Sequence, residues 1–211
     1  MYKGLIFDLD GVLVDTAKFH YLAWRDLAEE LGIVFTLADN ERLKGVSRIR
    51  SFQIILEIGN LEMPLFEQEI YCTKKNAKYV SYIEQLTEAD CLPGAYDFLM
   101  KAKKMGYKLA LGSASKNARF ILDKLGLTNF FDAIVDGTTV QKAKPDPEVF
   151  VTGAALMGLN ARDCVVFEDA IAGIEAAKGA GMLAVGIGNP ELLTGADLCF
   201  PSLLEVDLLN A

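Results

Sequence analysis

Histidine is nearly absent from this chain of 211 residues: there is one, His20. A zinc site built on several histidines is therefore excluded, and any bound metal should be held by oxygen ligands. The four cysteines (Cys72, Cys91, Cys164 and Cys199) are scattered and form no CxxC pair, which reads as reduced thiols in a cytoplasmic protein. Basic residues are outnumbered, 21 Lys and Arg against 29 Asp and Glu, for a net charge of −8. That balance argues against a nucleic-acid partner, which calls for a basic face. It leaves room for a small phosphorylated substrate, because a few local cations suffice. No apolar run approaches the ~20 residues of a membrane helix, so no membrane partner is expected. The opening MYKGLIFDLDG is apolar only briefly before acids interrupt it, which argues against a signal peptide. There is no G-x-x-x-x-G-K-[ST] loop, and the glycines near GAGMLAVGIG do not fit G-x-G-x-x-G. Repeats, low-complexity tracts and long linkers are missing too.

What is present is globular: 52% hydrophobic and 24% charged residues. GLIFDL, YKLALGS, FDAIVD, CVVFED and LAVGIG read as buried strands. Helical patterns lie between most of them: ARFILDKLGL, PEVFVTGAALMGL and AIAGIEAAKGAG. Gly126 and Gly158 suit helix stops. Strand–helix alternation implies an α/β fold, a Rossmann-like parallel sheet with helices on both faces. From about Thr16 to Glu88 the alternation breaks into helical periodicity alone. The expected organisation is an α/β core of residues 1–15 and 89–211 with a helical cap of residues 16–88 inserted after the first strand. Pro93–Gly94 marks the return. An insert leaving the C-terminal end of a strand would overhang the place where open α/β sheets bind ligands.

LIFDLDGVLVDT carries two acids at the end of a hydrophobic strand. Asp8 and Asp10 are two residues apart and share a side; Gly11 lets the chain turn. CVVFEDA ends a second strand with Glu168 and Asp169, LALGSASKN ends a third with Ser113, and KAKPDPEVF supplies Lys144 from a loop. Four carboxylates, a hydroxyl and an ammonium converge on one sheet edge. The acids would repel one another without a hard divalent cation, for which magnesium is the obvious choice. A carboxylate beside magnesium can attack phosphorus. Thr16, His20 and Trp24, spaced by four, share a helix face that serves either core packing or the site. Asp15 suits a helix N-cap.

DLDGVLVDT, the Ser113 and Lys144 segments and FEDA resemble the four motifs of the haloacid dehalogenase superfamily, in matching order and across essentially the whole chain. FDLDGVLVDTAKFHYLAW, LKGVSR, KKNAKYV, LPG and GSASKN resemble its sugar-phosphate mutase branch most closely. The resemblance implies the following. Asp8 becomes phospho-aspartate, and Asp10 is the general acid–base. Magnesium is held by Asp8, Glu168, Asp169 and the backbone carbonyl of Asp10, with Glu168 alternatively one step removed from the metal. Lys144, Ser113 and the amide of Ala114 stabilise the transferring phosphoryl group. Arg48, Ser115, Lys116 and Asn117 grip a second, distal phosphate. Thr16 and His20 orient Asp10. Trp24 and Leu43 shape the sugar pocket, and Lys44 positions the sugar, within a binding loop that includes Gly45 and Val46. The substrate would be β-glucose 1-phosphate, the product glucose 6-phosphate, and β-glucose 1,6-bisphosphate the activating intermediate. Nothing demands more than a monomer. Ala170 departs from the pattern, which has serine there. The isomer of the Lys144–Pro145 bond stays open. A phosphatase on the same fold would share Asp8, Asp10, Ser113, Lys144 and Asp169 but need no distal grip. A silent binding protein would have no use for the intact acid set.

Overall fold

The computed structural model of the chain describes residues 2–43 and 48–207, so Lys44, Gly45 and Val46 lie outside the described residues. In chain order the elements are β1 (Gly4–Phe7), α1 (Ala17–Glu30), α2 (Leu37–Glu41), α3 (Arg48–Ile58), α4 (Leu65–Ile83), α5 (Ala95–Lys104), β2 (Lys108–Gly112), α6 (Ala118–Lys124), β3 (Ala133–Val135), α7 (Glu148–Leu156), β4 (Cys164–Glu168), α8 (Ile171–Gly179), β5 (Leu183–Ile187) and β6 (Leu198–Phe200). The chain divides into two compact units, residues 1–15 with 86–211 and residues 16–85.

The first unit is a six-stranded parallel sheet in the order β3-β2-β1-β4-β5-β6. Its central strands are apolar on both faces because helices cover both. On one face Phe7 stacks on Phe167 at 4.8 Å, and the ring of Phe98 from α5 meets both edge-on. On the other, Ile6, Ala110 and Val166 pack with Val149 and Phe150 of α7 and Ile174 of α8. The spacing of Ala95, Phe98, Leu99 and Ala102 makes one buried stripe on α5, and lysines fill its last turn, where the helix dipole favours them. Strand β6 is not visible as a strand in the sequence. It is a three-residue edge strand, apolar but only half buried, and shorter than the five-residue runs of its inner neighbours.

The second unit is helical, with no strand among its described residues. Helix α2 opens with a capping box between Thr36 and Asp39. Trp24, Leu27, Phe35, Phe52 and Ile55 centre its core. Its C-terminal boundary falls at Gln85, three residues before the expected one. Leu86 is already buried, and Glu88–Asp90, across the expected boundary, form a single 3₁₀ turn closed by Thr87 and Asp90. Asp15 is not the cap of α1. The helix starts one residue later, with Thr16 at the cap position, and no side chain caps it.

Candidate active site

Register assembles the site. Phe7 is paired with Leu111 on one side and Phe167 on the other, so the residues that follow these strands meet at one edge. Because β1 lies between β2 and β4, the connections diverge here, the position where open α/β sheets take ligands. Asp8 is held by its amide to the Phe167 carbonyl at 2.9 Å. Gly11 follows with φ +80°, and a Cβ there would stand 2.0 Å from Asp169 Oδ2. Only glycine permits both the turn and that approach.

Asp8, Glu168 and Asp169 each offer a carboxylate oxygen, all within 4.8 Å of one another. The Lys144 ammonium stands 2.5 Å from Asp8 Oδ1 and 2.5 Å from Glu168 Oε1. Burial works against that ammonium, but Asp8 and Glu168 outweigh it and hold its pKa above the ordinary lysine value. Burial pushes Glu168 upward, with Lys144 opposing. Asp169 has a solvent-accessible edge, yet the protein around it and then the charges of Asp8, Glu168 and Asp10 raise it to about 8. The bond between Lys144 and Pro145 is cis. Ser113 is buried; its hydroxyl accepts from the Ser115 amide at 3.1 Å, and the Ser115 hydroxyl accepts from the Asn117 amide at 3.2 Å. The exposed Ala114 and Lys116 complete that turn, which leads into α6. The Ala170 amide donates to Glu168 Oε2 at 3.1 Å, a backbone bond that needs no side chain at 170.

The remaining candidates belong to the helical unit. Thr16, His20 and Trp24 do share a face, and within this unit it packs on α4. Tyr79 donates to the Thr16 hydroxyl at 3.1 Å and stacks on His20 at 4.0 Å. Leu43 is in the hydrophobic core of the unit, and Arg48 donates to Asn76 at 2.9 Å. The residue that sequence reasoning missed is Lys75. It is 3% exposed, its Nζ lies 2.7 Å from His20 Nδ1, and it sits over the rings of Trp24 and Tyr79. Burial, then the charge of Arg48, lowers its pKa to about 7; burial, then Lys75 and Arg48, lowers His20 well below the ordinary histidine value. The signal was available: Cys72, Lys75, Tyr79 and Ile83 form the buried stripe of α4, and a lysine in such a stripe is out of place.

The fold and this acid–lysine edge define a class. The family model of haloacid dehalogenase-like hydrolases matches residues 2–181, and the chain belongs to that family. Among characterised relatives, it is 46% identical to a β-phosphoglucomutase of Bacillus subtilis, over 99% of this chain and 94% of the relative. It is 33% identical to a fructose-1-phosphate phosphatase of Escherichia coli, over 88% and 96%. The crystal structure of β-phosphoglucomutase from Clostridium difficile superposes with a TM-score of 0.90 at 42% identity, covering 99% of this chain and 94% of that one.

Proposed function

We propose that the protein is a β-phosphoglucomutase, an enzyme converting β-D-glucose 1-phosphate to glucose 6-phosphate through β-glucose 1,6-bisphosphate. The observation that carries the mutase over a phosphatase is the 46% identity across nearly the whole chain, against 33% for the phosphatase relative.

The donor set fits a hard divalent cation. Three carboxylates offer oxygens within 4.8 Å of one another, and burial, then the charges of Asp8 and Glu168, already drives Asp169 toward its neutral form. Asp8, Glu168 and Asp169 would hold magnesium, joined by the Asp10 carbonyl. The bound ion would withdraw charge from the phosphoryl oxygens during transfer.

Asp8, carried as phospho-aspartate, gives its phosphoryl group to the C6 oxygen of β-glucose 1-phosphate, while the Asp10 carboxylate takes the hydroxyl proton. The bisphosphate turns over. Asp8 then attacks the phosphorus on C1, and Asp10 returns its proton to the departing sugar oxygen. Glucose 6-phosphate leaves and Asp8 is phosphorylated again. Lys144, the Ser113 hydroxyl and the Ala114 amide offset charge on the moving phosphoryl group. Ser115, Lys116 and Asn117 serve the phosphate that is not reacting.

A phosphorus NMR time course with magnesium, β-glucose 1-phosphate and a trace of the bisphosphate tests this. Glucose 6-phosphate growing without matching inorganic phosphate is the expected result, and Asp8→Asn should abolish it. Inorganic phosphate alone would replace the mutase with a phosphatase that uses the same Asp8 chemistry.

A further inference from the structure

Gly173 is the third residue of α8, where glycine is less favourable than alanine. Its backbone is ordinary helix, so no turn or positive φ calls for glycine. A methyl on its Cα would stand 1.9 Å from both Cδ and Oε1 of Glu168, and 2.3 Å from Oε2. The carboxylate is pinned in that space from two sides, by Lys144 on Oε1 at 2.5 Å and by the Ala170 amide on Oε2 at 3.1 Å.

We propose that Gly173 is a positioning residue: its missing side chain is the seat of the Glu168 carboxylate, and through Glu168 it sets the Lys144 ammonium beside Asp8. The proposal rests on the reading of Glu168 as part of the metal and phosphoryl site. The group a methyl would meet is the end of a side chain and not backbone, so the carboxylate gives way before the helix does, by leaving Lys144 and the Ala170 amide. The cost of a methyl at 173 therefore falls on the site rather than on the helix. Gly179, the last residue of the same helix, is the contrast. A Cβ there would meet only Pro147, at 3.9 Å or beyond.

The test is a set of Mn²⁺ binding isotherms, followed by electron paramagnetic resonance, with melting curves alongside. Gly173→Ala is expected to weaken Mn²⁺ binding about 10- to 100-fold, with any fall in melting temperature confined to the background that carries Glu168. Gly179→Ala should leave Mn²⁺ affinity unchanged. In a Glu168→Asp background, whose carboxylate is one methylene shorter, Gly173→Ala should change affinity by no more than about twofold. Wild-type affinity in Gly173→Ala, or an equal loss in both backgrounds, would overturn the proposal. So would melting that falls in both backgrounds, which marks a helix-packing role. Unaltered affinity in Glu168→Asp alone would remove Glu168 from the metal site and the proposal with it. None of these readings depends on which sugar phosphate is turned over.

Discussion

Two lysines in this chain, Lys75 buried and Lys144 nearly so, sit in opposite electrostatic circumstances. Lys144 lies between Asp8 and Glu168, which hold its proton more firmly than water would. Lys75 lies against His20 and two aromatic rings, and its pKa falls from 10.5 to about 7. A group whose pKa is depressed on folding contributes its full stability above its unfolded pKa and loses it as pH falls toward the folded value. Lys75 therefore weighs against folding at pH 7 and ceases to do so near pH 10.5. Lys75→Met is expected to stabilise the protein at pH 7 by about 1–3 kcal/mol. That figure already allows for the unpartnered His20 nitrogen, which returns about 1–3 kcal/mol. Urea denaturation at pH 7 and pH 10 checks this: the gain should shrink at the higher pH, and a variant less stable than wild type at pH 7 would refute the argument.

One helix of this chain begins at a turn that only glycine can make. Helix α5 starts from Gly94 at φ +82°, where a Cβ would stand 2.4 Å from the Leu204 amide nitrogen. Neither obstacle can yield cheaply, because one is a left-handed conformation and the other is backbone. Gly94→Ala should cost at least about 1–2 kcal/mol from the conformation alone, seen as a lower denaturation midpoint; an unchanged midpoint would show the turn to be adaptable. The turn was legible as Pro93–Gly94, but its packing against residue 204 was not. Strands β1, β2, β4 and β5 were legible because burial on both faces makes them continuous apolar runs. The edge strand β3 was legible too, from FDAIVD; β6 was not, because its three residues Leu-Cys-Phe, exposed or half-buried, stand between Asp197 and Pro201 and are too short a run to stand out.

At the scale of the whole molecule, folding gathers acids that the unfolded chain keeps apart. Asp169 rises from 3.8 to about 8 on folding, and burial raises Glu168 as well. A raised group contributes stability that is fully present below its unfolded pKa and is lost as pH rises through the folded value. Without a cation, these acids therefore weaken the fold progressively from about pH 4 to pH 8. A divalent cation competes with those protons and stabilises the folded state by mass action. The rise in melting temperature on adding saturating Mg²⁺ should be larger at pH 8 than at pH 6. Equal rises at both would mean that Asp169 carries no extra proton in the metal-free protein.

The sequence by itself determined the sheet and the helical insert and pointed to the chemistry, since strand periodicity and the spacing of Asp8, Asp10 and Gly11 are local properties. It named Asp8, Ser113, Lys144, Glu168 and Asp169 because each ends a strand or sits in a loop with a recognisable pattern. Only the tertiary structure decided which of them touch. Lys144 reaches Asp8 across 136 positions of chain, and strand register, not spacing, puts Phe7 level with Leu111 and Phe167. The same holds for Lys75 against His20 and for Gly173 beneath Glu168. A buried lysine and a helical glycine look ordinary along the chain; their meaning depends on what packing sets against them.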